Sequence, residues 1–104
     1  MAIRTANEDD FDEAVSRGTV LADFWAAWCA PCRMLAPVLE DIEQELGGRL
    51  AIVKINADDN GPLVGRFGIM SLPTMILFRN GQEVERIIGY QSKHALLALI
   101  TPHL

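Results

Sequence analysis

The sequence predicts an α/β protein: one mixed β-sheet with helices packed on both faces. Three observations carry this. Along the first two-thirds of the chain, apolar runs of strand length alternate with segments of helical periodicity, the pattern of parallel strands joined by crossover helices. Two later apolar runs flank Asn80-Gly81, a strong hairpin signal, which adds antiparallel strands. With 104 residues, half of them hydrophobic and 22% charged, the chain has the make-up of one soluble globular domain. No repeat, low-complexity segment or linker divides it, so residues 1–104 are expected to form that domain.

Residues 2–5 read as a short edge strand. Asn7 is placed to cap a first helix reaching to about Arg17, with Glu8, Asp9 and Asp10 in its first turn favouring the dipole. Phe11, Ala14 and Val15 give that helix an apolar stripe, and Gly18 ends it. Residues 20–26 are apolar on both alternating faces except at Asp23, which is how a central strand covered on both sides reads. From about Cys32, Met34, Leu35, Val38, Leu39, Ile42 and Leu46 recur at helical spacing until Gly47-Gly48. Pro37 lies inside this helix and is expected to kink it.

Residues 50–55 form a second buried-type strand, interrupted by Lys54. Asn60-Gly61-Pro62 opens a short helix to about Phe67, weakened by Gly65. Residues 74–78 and 83–88 are the hairpin strands. Ser92 caps a last helix that turns Leu96, Leu97 and Ile100 inward and stops at Pro102. The order is β-α-β-α-β-α-β-β-α.

The formal net charge is −5, and the nine basic residues are scattered without a run. Both facts argue against nucleic acid as a partner, since phosphate binding grows with clustered Lys and Arg. No apolar stretch approaches the roughly 20 residues a membrane helix needs. The N-terminal residues show no signal-peptide pattern, so a cytoplasmic protein is expected.

The chain's two cysteines lie in Trp28-Cys29-Ala30-Pro31-Cys32, between a strand and a helix. In a reducing compartment such a pair is catalytic, metal-bound or merely reduced. Zinc needs two more ligands, and the two histidines, His94 and His103, sit far along the chain with nothing to pair them with the cysteines. Redox chemistry fits better: Cys29 immediately precedes a helix, where backbone N–H groups and the dipole favour a thiolate. Cys29 is therefore read as the exposed attacking thiol, and Cys32, inside the first turn, as the covered resolving thiol. Asp23 is a carboxylate in a doubly covered strand; burial should raise its pKa and suit it to moving a proton.

Asp23-Phe24-Trp25, Trp28-Cys29-Ala30-Pro31-Cys32-Arg33-Met34, Ala36-Pro37, Pro73-Thr74, Asn80-Gly81 and Gly89 occur in the order of the thioredoxin pattern. Over nearly its whole length the chain resembles a bacterial thioredoxin. The resemblance implies the thioredoxin fold, with about five strands flanked by four helices in three layers. It implies reduction of protein disulfides through Cys29 and Cys32, with Asp23 as proton acceptor and donor. Lys54 matches the family lysine near that Asp, and a strand-end lysine with no such role is almost as good a reading. The resemblance also implies a cis-proline at Pro73, facing the cysteines, and a docking face made of Trp28, Ala30, Pro31, Met70, Leu72, Pro73, Gly89 and Tyr90. Trp25 reads as core packing.

Electrons would come from NADPH through a thioredoxin reductase. The chain itself has no nucleotide-binding glycine motif, so no bound cofactor and no metal are expected. The expected partners are that reductase and disulfide-containing proteins, met by a monomer. Two departures mark this chain: Ala30 stands where thioredoxins usually have Gly, and Met70-Ser71 replaces the basic residue followed by Gly of some bacterial members. Competing readings are a redox-independent binding module and a disulfide oxidase or isomerase.

Overall fold

Alternation along the central strand decides the architecture. The computed structural model describes residues 3–104. Five strands form one sheet in the order β1-β3-β2-β4-β5. They are β1 (Arg4–Thr5), β2 (Thr19–Trp25), β3 (Ala51–Asn56), β4 (Thr74–Arg79) and β5 (Gln82–Ile88). β3 runs parallel to β1 and β2, and β4 runs antiparallel to β2 and β5. The helices are α1 (Phe11–Ala14), α2 (Ala30–Leu46), α3 (Gly61–Phe67) and α4 (Lys93–Ile100). α1 and α3 cover one face and α2 and α4 the other, so the mixed sheet lies in the middle of three layers.

Side chains on a strand alternate between faces, so β2 feeds two separate cores. Val20, Ala22 and Phe24 join Phe11, Leu63, Ile76 and Phe78 on one side. Phe11, Phe24, Phe67 and Phe78, all the phenylalanines of the chain, meet there with neighbouring ring centroids 5.3–6.4 Å apart. On the other side Leu21 packs with Leu77, Ile87 and the inner faces of α2 and α4. α2 buries Cys32, Leu35, Leu39, Ile42 and Leu46, at alternating intervals of three and four residues that keep one stripe against the sheet. Met34 departs from the expected stripe and is exposed, because it lies one position round the helix from Leu35. The helix continues through Pro37 as one element.

The first helix is shorter than its pattern predicts. Asn7 does not cap it; its Oδ1 accepts hydrogen bonds from the Asp9 and Asp10 N–H groups instead, folding residues 7–10 into a turn. α1 therefore begins at Phe11 and spans a single turn. The part of the expected strand over residues 2–5 that forms is Arg4–Thr5, with Ala2 outside the described residues. The hairpin follows its signal: Asn80 and Gly81 have φ of 52° and 84°, the paired left-handed conformation of a tight two-residue turn. Asn80 also ties this turn to the start of β2, its Oδ1 accepting from the Gly18 N–H at 3.0 Å. Ser92 caps α4 as expected, accepting from the Ala95 N–H at 3.2 Å.

Replacing Phe11, a buried ring that meets all three others of the aromatic cluster, by Ala is expected to cost about 3–5 kcal/mol. Ser92→Ala, which loses one cap, should cost about 1 kcal/mol. Guanidinium unfolding of both variants tests the ranking, and a Phe11→Ala cost as small as that of Ser92→Ala would contradict it.

Candidate active site

β2 ends at Trp25, and a four-residue loop leads to the first residue of α2, Ala30. The last loop residue, Cys29, is the N-cap: its backbone is extended (φ −91°, ψ 106°), and its Sγ accepts a hydrogen bond from the Cys32 N–H at 3.3 Å. Sulfur thus stands where a Ser or Asp oxygen usually satisfies the first helical donors. Pro31 lies in the first helical turn, where its missing N–H has no intrahelical partner to lose. The loop is held from three sides. Cys29 N–H donates to the Ala26 carbonyl at 3.2 Å, and Arg33 Nη1 donates to the Ala27 carbonyl at 2.8 Å. Trp28 Nε1–H donates to the Asp58 carboxylate at 3.1 Å.

Cys29 and Cys32 are joined by a disulfide, their Cα atoms 5.3 Å apart. The expectation of an exposed Cys29 over a covered Cys32 is corrected here: both residues are 4% exposed. In the disulfide both pack with Ala26, Trp25 and Leu72, so exposure does not separate them. Helix position does. Cys29 is the residue onto which the backbone N–H points.

Asp23 lies on the α2 face of β2, in register with Lys54 on β3 and Met75 on β4. It is 1% exposed, and neither carboxylate oxygen has a hydrogen-bond partner among the described residues. Burial pushes its pKa up from the ordinary 3.8 to about 6, with the Lys54 cation pulling the other way. Lys54 Nζ sits 5.3 Å from the centre of the Trp25 ring. Trp25 is half-buried against the cysteines and so links the Asp23–Lys54 pair to the disulfide. It is a wall of the site as well as core packing.

The Leu72–Pro73 peptide is cis, and the Pro73 carbonyl accepts from the Gly89 N–H at 2.8 Å. Gly89 has φ of 90°, which strains any residue with a Cβ, although open space surrounds the position. Beside the disulfide runs a shallow groove of about 280 Å³, lined by Trp28, Asp58, Val64, Ile69, Met70 and Leu72 among others. Trp28 and Met70 are 69% and 96% exposed. Ala30, Pro31 and Tyr90 are exposed outside the groove. Asp58, Val64 and Ile69 have no signal in the sequence; the turn after β3 and the end of α3 bring them in. Among the described residues, no group of three or more His, Cys, Asp or Glu side chains gathers as a metal site would.

A disulfide formed across a helix start supports thiol–disulfide exchange, and the protein is a thiol–disulfide oxidoreductase. The comparisons narrow the class. The thioredoxin family model matches residues 2–102. The thioredoxin of Bacillus subtilis is 48% identical over 104 residues, covering all of both chains. That of Listeria monocytogenes is 46% identical over 101 residues, 97% of this chain and 98% of the other. Among solved structures, a thioredoxin of Malassezia sympodialis superposes with a TM-score of 0.87 at 33% identity, over 98% of this chain and 90% of that one. The chain belongs to the thioredoxin family.

The raised pKa of Asp23 makes a signed prediction. The folded protein holds this proton more tightly than the unfolded chain, so ionising the carboxyl costs stability. The cost is absent below the ordinary 3.8, grows as pH rises to about 6, and is complete above that. Its size is about 3 kcal/mol. Asp23→Asn should therefore be more stable than the parent at pH 8, with the difference shrinking toward pH 4. Denaturant titrations across that range test it, and a pH-independent difference would refute the assignment.

Proposed function

We propose that the protein reduces disulfides of other proteins, with Cys29 as nucleophile and Cys32 as resolving thiol. The observation that carries the assignment is the N-cap: Cys29 Sγ receives the Cys32 N–H at the start of a 17-residue helix. The helix dipole and this donor both favour negative charge on Cys29. The Cys29 thiolate attacks one sulfur of the target disulfide, expelling the other as a thiolate and forming a mixed disulfide. Asp23, ionised above about pH 6, accepts the Cys32 proton. The Cys32 thiolate then attacks Cys29 Sγ, releasing the target's second thiol and leaving the disulfide that the structure holds. Lys54 limits how far burial raises the Asp23 pKa, which keeps the carboxyl usable near neutral pH.

Targets would dock on Trp28, Ala30, Pro31, Met70, Leu72, Pro73, Gly89 and Tyr90. An extended target segment would pair with the backbone at Leu72 in the manner of an added strand. Electrons would return from NADPH through a thioredoxin reductase acting on the exposed rim around the disulfide. The protein would bind no cofactor of its own and work as a cytoplasmic monomer.

Insulin reduction with dithiothreitol as electron donor tests the reading. Cys29→Ser should lose about 10³-fold in rate, since the remaining Cys32 lacks the N-cap position that favours a thiolate on Cys29. Cys32→Ser should accumulate a mixed disulfide visible by mass. Full activity in Cys29→Ser would sink the proposal. A reduction potential more negative than about −180 mV would separate this reductant from an isomerase-type oxidant.

A further inference from the structure

Sulfur is distributed unevenly around the site. Met70 is 96% exposed on the groove rim and Met34 is 59% exposed near the start of α2, whereas Met75, on β4, is fully buried in the core shared with α2 and α4. Met70 does not stand alone: it lines one groove with exposed Trp28 and with Leu72, which packs against the disulfide, and a contiguous apolar surface of this kind marks an interaction site. Resting on the docking role just described, we propose that Met70 is a site of oxidation that weakens protein targets' hold on the groove. A hydroperoxide transfers one oxygen atom to Met70 Sδ. The thioether gives up two electrons, the O–O bond breaks, and water or an alcohol leaves.

The product is a polar, chiral sulfoxide where a pliable apolar side chain stood. In the disulfide form the cysteines offer no thiolate to the oxidant. The exposed methionines are then its most accessible sulfurs, while Met75 is shielded. The modification would therefore arrive under the same oxidising conditions that drive the Cys29–Cys32 pair to its disulfide. It would act on docking and leave sulfur exchange itself intact.

The test treats the disulfide form with hydrogen peroxide, removes the oxidant, reopens the disulfide with dithiothreitol and maps the methionines by mass spectrometry. Oxygen addition is expected at Met70 and Met34 ahead of Met75. KM for insulin should then rise about five-fold, while turnover of a small aromatic disulfide stays within about two-fold. The ratio of treated to untreated activity separates the sites: it should stay near one in M70L and fall in M34L as in the parent. An unmodified Met70, equal losses on both substrates, or the same ratio in M70L and the parent would overturn the proposal. Failure of the untreated parent to reduce insulin would instead overturn the reductase reading beneath it.

Discussion

The central strand imposes the constraint from which the rest follows. β2 is hydrogen-bonded on both edges and covered on both faces, so the parity of each residue decides its surroundings. Even positions enter the aromatic core under α1 and α3. Odd positions meet α2, and Asp23 is one of them. Its neighbour two residues on, Trp25, lies about 7 Å further along that face and reaches the cysteines. A one-residue slip would turn Asp23 into the phenylalanine cluster and Phe24 toward α2. Register and chemistry are set by the same ladder of hydrogen bonds.

Holding a carboxylate there works against folding. The cost of about 3 kcal/mol at neutral pH is large beside the roughly 5–15 kcal/mol by which domains of this size are stable. Two extensive apolar cores offset it, and Lys54 reduces it without cancelling it. A full ion pair would have been the easier structural solution. It would also have held the carboxyl permanently ionised, unable to return a proton near neutral pH. The partial compensation by Lys54 leaves the carboxyl titrating at about 6, which would suit the proposed proton transfer better than a close pair would.

Much of this was legible in the residues. Strand and helix order came from periodicity, since β2, α2 and the hairpin each carry a long, consistent pattern. Asp23 declared itself as one charge in an apolar strand. α1 failed because Asn7 uses its side chain in a turn, a local competition that a cap-plus-acid pattern does not reveal. The equal burial of the two cysteines was hidden because it depends on Leu72 and Trp25, which reach them only through the fold. Asp58 escaped for the same reason: its bond to Trp28 joins residues 30 apart in sequence. Pairings that depend on the path of the chain between elements leave no periodic trace.

The two ends of the sheet bear on a hazard that the proposed docking mode creates. A surface that captures extended segments must avoid capturing copies of itself, because every unpaired strand edge is a template for another chain. β1 offers a lateral edge only two residues long. β5, the other border, carries Glu83, Glu85 and Arg86, and the ladder it shares with β4 is irregular at Leu77 and Phe78. Brevity blunts one border, and charge with a broken register blunts the other. Edge-to-edge pairing between copies is thereby disfavoured, and under the proposed docking mode the backbone left to receive a strand is the turn before β4.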